Sequence, residues 1–102
     1  MLVPAIWSLE VANALVVAER RNRITREDSA AFLTMIEELP ITVDAGTAAR
    51  VFHETIALAH DHALSSYDAA YLELAIRTEL PLATGDEALR RAAAQLGLAL
   101  AG

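Results

Sequence analysis

Two short strand-like runs set among longer helical segments constrain this chain more than any other feature. "ITVD" at 41–44 follows Pro40, and "PLAT" at 81–84 opens on Pro81. Ile41, Thr42 and Val43 are β-branched, prefer extended backbone, and stand in a run too short for a helix. Strands that alternate with helices are joined by right-handed crossovers and form a parallel sheet covered by helices. The chain therefore reads as α/β, with helices around a small parallel sheet.

The helical segments are marked by apolar spacing and by their ends. Ile6, Leu9, Ala12, Val16 and Val17 recur near helical period, which predicts a helix over residues 5 to 20 entered through Pro4. Thr25 and Asp28 have the spacing of a capping box at the start of "REDSAAFLTMIEEL", and the two helices read as a hairpin. "AGTAARVFHETIALAHDHA" is helical through Val51, Ile56, Leu58 and Ala59 and weakens at "HDH". A further helix starts after Ser65 and Ser66 and runs through Ala75 and Ile76. Asp86 caps "EALRRAAAQLG", which Gly97 closes. The sheet so predicted is small for this many helices, and "ITVD" follows two helices with no strand ahead of them.

A length of 102 residues fits one domain, 1–102. Hydrophobic residues make up 55% of the chain, above the roughly 45–50% of ordinary soluble domains, and the excess calls for a partner surface. The N-terminal apolar stretch is broken by Pro4, Ser8, Glu10 and Asn13 and has no basic flank before it, so neither a signal peptide nor a membrane span is read. Cytoplasm is the default location. Without cysteine there is no disulfide framework and no thiolate zinc site.

The net charge of −6 argues against nucleic-acid binding through a broad basic surface, but not against an enzyme that meets phosphates through cations held by carboxylates. All eight basic residues are arginine, and Arg20, Arg21, Arg23 and Arg26 are clustered. That cluster fits a phosphate track or, as ordinary dipole chemistry, a solvated helix end.

Three acids stand among apolar neighbours. Glu10 lies amid Trp7, Leu9, Val11, Ala12 and Ala14; Asp68 lies in "LSSYDAAYLELA"; Asp86 ends "LPLATGD". A carboxylate buried in such surroundings needs a hydrogen-bonding partner or a cation. Structural roles are available to each. Asp68 suits the first turn of a helix begun by Ser65, Asp86 suits an N-cap, and an arginine can neutralise Glu10. If the three converge, they form a hard oxygen-rich site for Mg²⁺ or Mn²⁺, suited to phosphodiester hydrolysis.

Three motifs in order, P-x-x-W-x-x-E-x-x-N-A-L, S-x-Y-D-A-x-Y-x-x-L-A, and L-x-T-x-D before a helix, resemble the PIN-domain ribonucleases, specifically VapC-type toxins, across essentially the whole chain. The resemblance implies a magnesium-dependent endoribonuclease acting on structured RNA of the tRNA or ribosomal RNA class, held in check by a VapB-like antitoxin. Glu10, Asp68 and Asp86 fall on the family's acidic metal positions, Thr84 on the hydroxyl position that arranges the site, and Asn13 on a supporting position beside Glu10.

The resemblance begins at the family's second structural element. Its first strand, central in the sheet and carrying the first aspartate, has no counterpart here, so the sequence reads as a partial, N-terminally truncated PIN-like domain. The expectations are association or strand exchange between copies, weakened divalent-ion binding, and reduced cleavage. A non-catalytic interaction module, or a decayed toxin fragment, is the competing reading. A zinc peptidase is not, because "HETIA" at 53–57 has Ala57 where H-E-x-x-H needs its second histidine.

Overall fold

The computed structural model describes residues 1–100. Strand β1 (Leu2–Val3) is followed by helices α1 (Trp7–Arg20) and α2 (Arg26–Glu37) and by strand β2 (Thr42–Val43). Helix α3 (Thr47–Arg50), a π-helical turn over Val51–Thr55, and helices α4 (Ile56–His62), α5 (Ser66–Thr78) and α6 (Glu87–Gln95) complete the described chain. It divides into two compact units, Met1–Val43 and Asp44–Gly102.

In the first unit β1 and β2 pair in parallel, Leu2 opposite Thr42 and Val3 opposite Val43. This corrects the sequence reading, which had no strand ahead of the helical hairpin. Two extended residues followed by a proline offer no alternating period to detect. The hairpin is as expected, and its second helix starts on a complete capping box. The Asp28 amide donates to Thr25 Oγ1 at 3.1 Å, and the Thr25 amide donates to Asp28 Oδ2 at 3.0 Å. Helix α1 contains no buried residue, and Leu9, Phe32, Leu33 and Met35 are exposed.

The second unit has the core. Leu72, Ala75, Leu82, Leu89, Ala92 and Ala93 form one buried cluster, with Leu58, Leu64, Tyr71, Leu98 and Leu100 packed against it. Alanine at 75, 92 and 93 lets the α5 and α6 backbones approach, while Leu72 and Leu89 fill the space between the turns. "PLAT" shrinks from the expected strand to one parallel bridge between Leu82 and Leu100, with the Leu82 amide donating to the Ala99 carbonyl at 2.9 Å. Gly97, at φ +71°, ends α6 as predicted: its left-handed backbone lets the Leu98 amide return to the Ala93 carbonyl at 2.9 Å. Helices α4 and α5 stop on the same conformation without glycine, at Ala63 (φ 53°) and Glu79 (φ 58°).

One acid is fully withdrawn from water, and it is none of the three singled out from the sequence. Glu73, 3% exposed, faces Arg77 one turn on, which donates from Nε to Oε2 at 2.8 Å and from Nη2 to Oε1 at 2.9 Å. The same guanidinium forks onto Asp44, Nη2 to Oδ2 at 2.7 Å and Nη1 to Oδ1 at 3.1 Å. Thr47 Oγ1 adds a donor to Asp44 Oδ2 at 2.9 Å. The Arg77 hydrogen bonds, against the cost of burial and helped by Thr47, hold the Asp44 carboxyl at about 2, below its ordinary 3.8. Glu73 first and Asp44 second push the Arg77 guanidinium up. Gly46 leaves the space this requires, since a Cβ there would lie 2.8 Å from Arg77 Nη1.

Candidate functional site

Glu10 belongs to the first unit and Asp68, Thr84 and Asp86 to the second. Because α1 begins at Trp7, Glu10 occupies its first turn, where the positive end of the helix favours a carboxylate; its amide donates to the Ile6 carbonyl at 3.0 Å. The residue is exposed, so the burial expected from its sequence neighbours is not observed. Successive residues of a helix point about 100° apart, and the apolar side chains adjacent in sequence therefore do not enclose it. Asn13, one turn on, is exposed as well.

Asp68 is half-buried in the first turn of α5. Its amide donates to Ser65 Oγ at 3.1 Å, the side-chain N-cap that the sequence predicted. Ala69, Ala70 and Leu72, which follow it, are buried in the unit's interior, so the helix is anchored immediately behind the carboxylate.

Asp86 is the N-cap of α6, with Oδ1 accepting from the Leu89 amide at 2.9 Å. The loop that carries it is fixed from two sides. Thr84 Oγ1 accepts from the Asp86 amide at 3.0 Å, and Arg90 Nη1 donates to the Thr84 carbonyl at 3.1 Å. Thr84 thus orients the Asp86 backbone directly, while Asp86 Oδ2 takes no hydrogen bond among the described residues. Arg90 is the participant the sequence reading missed; its spacing from Thr84 gave no local signal.

These carboxylates are hard oxygen donors of the kind Mg²⁺ and Mn²⁺ select, and no thiolate is available to compete. Among the described residues, however, no three side chains of His, Cys, Asp or Glu gather into a set able to hold a metal ion. His53 and Glu54 of "HETIA" are exposed in the π-helical turn. His62 Nδ1 lies 3.1 Å from Gln95 Oε1, a link between α4 and α6.

The family model for the PIN domain matches residues 1–95, a span that includes both strands, every helix and all five candidate residues. The chain belongs to the PIN domain family. PIN domains are nucleases that act on RNA and generally depend on divalent metal, and a mostly helical chain with a small parallel sheet agrees with the PIN fold. Comparison with curated proteins and with solved structures returns no match. No helix among the described residues is long and apolar enough to cross a membrane.

Proposed function

We propose that this PIN domain is the toxin of a VapBC-type pair, a magnesium-dependent endoribonuclease for structured RNA of the tRNA or ribosomal RNA class. Glu10, Asp68 and Asp86 are its metal ligands, with Thr84 and Asn13 in support. The observation that carries the reading is the family match, whose span of residues 1–95 contains all five positions. Bound to these carboxylates, a divalent ion supplies charge neutralisation for the phosphodiester and lowers the pKa of water. The chain's own part is to hold the ligands. Leu89 engages one oxygen of Asp86 and leaves the other available, Thr84 fixes the loop, and buried Ala69 and Ala70 anchor the turn that bears Asp68.

Titration with Mg²⁺ or Mn²⁺ is expected to raise the melting temperature progressively with the logarithm of metal concentration above Kd, by the equivalent of about 2.7 kcal/mol at a hundredfold excess. Cleavage of tRNA or ribosomal RNA should appear with the metal and vanish with chelator. A flat titration with intact RNA at every metal concentration sinks the nuclease reading. It would leave the alternative of a non-catalytic interaction module, which the exposed apolar side chains of the hairpin favour.

The toxin reading also gives the first unit's apolar surface an occupant. With α1 unburied along its whole length and Leu9, Phe32, Leu33 and Met35 open to solvent, the hairpin is suited to a VapB-like antitoxin or to a second copy. Light scattering of the chain alone should report an oligomer at micromolar concentration, and a sharp monomer peak excludes the second copy.

A further inference from the structure

We propose that the turn between α1 and α2 is a phosphate-binding surface for the RNA strand, with Arg20, Arg21 and Arg23 as its contacts. The inference rests on the ribonuclease reading for the identity of the polyanion, and on the turn itself for everything else.

Arg20, Arg21, Arg23 and Arg26 are half of the chain's eight cationic residues, held within seven positions of a chain whose net charge is −6. The bland explanation of arginine at a helix C-terminus is that guanidinium groups serve the last carbonyls. Here three of the last four carbonyls are already served. The Arg21 amide donates to Val17 at 3.0 Å, the Asn22 amide to Glu19 at 3.0 Å, and the Arg23 amide to Ala18 at 2.9 Å. Asn22, at φ 56°, supplies the left-handed residue that this closure needs. The backbone thus ends α1 unaided, and among the described residues the guanidinium groups of Arg20, Arg21 and Arg23 have no hydrogen bond or ion pair.

The nearby acids are differently placed. Asp28 is spent in its capping box, and Glu19 accepts from buried Ser29 at 3.1 Å while standing 4.0 Å from Arg26. Arg20, Arg21 and Arg23 are left facing solvent, and Arg20 also lines a concavity with Val16, Ile24, Arg26 and Glu19, the acid already engaged by Ser29 and Arg26. Guanidinium groups beside apolar side chains suit a nucleic-acid strand, because the planar fork bridges phosphate oxygens while its face and the apolar side chains accept a base. Arginine rather than lysine at every position fits this chemistry. Helix α1 therefore carries Glu10 in its first turn and Arg20 in its last, about 15 Å apart along the axis, so one strand can engage both.

The test uses the full chain with chelator present, so that binding is read without cleavage, and a labelled oligouridylate followed by anisotropy over a salt series. The triple variant Arg20→Gln, Arg21→Gln, Arg23→Gln should lower the magnitude of the log K against log salt slope by about 2 and weaken binding on the order of 100-fold at about 0.1 M salt. The corresponding Arg→Lys triple should keep the slope, and Arg91→Gln, on α6, should change neither quantity. An unchanged slope in the glutamine triple overturns the inference, as does absence of RNA binding by the parent chain; loss of self-association with an intact slope reassigns the turn to a protein contact and overturns it too. Circular dichroism confirms folding of the triple, whose helix end is closed by backbone. RNA binding through these arginines without magnesium-dependent cleavage would sink the nuclease reading alone. Cleavage with an unchanged slope would sink this one alone.

Discussion

An Arg77→Met variant is expected to lose about 3 kcal/mol of unfolding free energy and, for a domain of this size, on the order of 15 °C in Tm. The substitution keeps the aliphatic volume and removes the one cation bonded to Glu73 and Asp44 among the described residues. Side-chain exposures of 4% at Glu73 and 13% at Asp44 mean that water replaces the lost donors poorly, least of all at Glu73. Two like charges, Glu73 buried and Asp44 half-buried, then stand side by side, and the penalty is for the orphaned carboxylates more than for the missing bridge. Adding Glu73→Leu should recover part of the loss, because a pair replaced by apolar packing costs far less than a pair half removed. A urea midpoint that falls with no change of slope would confirm a pure stability effect. A loss under about 1 kcal/mol would mean that the network is solvated and contributes as a surface bridge does.

The pH dependence separates the parent from this variant. The Asp44 pKa is depressed in the folded state, from 3.8 to about 2. Its contribution is therefore present above the unfolded value and is lost as pH falls from about 4 toward about 2. The variant has no guanidinium to hold that carboxyl down. Protonation then relieves its buried repulsion, and the gap in stability between the two proteins should narrow on acidification.

The placement of Glu73 explains which parts of the molecule were legible in the sequence. Ends of helices carry their own chemistry, so the Thr25–Asp28 box, the Ser65 cap, the Asp86 cap and the Gly97 stop were readable from residue types alone. Burial is a property of the packed molecule. Glu10 stands in the more apolar stretch and is exposed, whereas Glu73, two residues from a tyrosine and between two leucines, is enclosed because the middle of α5, Ala69 to Ala75, is buried apart from half-buried Tyr71. The Glu73–Arg77 spacing of one turn was a signal that could have been used. Its second carboxylate, 33 positions from Arg77, had no local trace. Strand β1 and the π-helical turn were illegible for a related reason: two residues have no period, and an inserted residue in a helix is fixed by its packing.

Asp86→Asn is expected to leave stability within about 0.5 kcal/mol of the parent while lowering magnesium-dependent cleavage at least about 100-fold. The two halves of that result have different physical origins. As an N-cap, asparagine ranks with aspartate, and its side-chain oxygen can accept from the Leu89 amide as Asp86 Oδ1 does at 2.9 Å. Only a few tenths of a kcal/mol of dipole stabilisation disappear with the charge. As a ligand to a hard cation the amide is a poor substitute, since it brings one neutral oxygen where the carboxylate brings two that share a negative charge. Loss of an outer-sphere partner already costs about 10–100-fold in affinity or activity, so loss of a ligand's charge should reach at least the upper figure. Asp86→Ala should add the cap penalty of about 1 kcal/mol to the same catalytic defect. If Asp86 were a cap and nothing more, asparagine would be as active as aspartate, alanine would lose activity only in step with its Tm, and the magnesium-induced thermal shift would be the same in all three proteins.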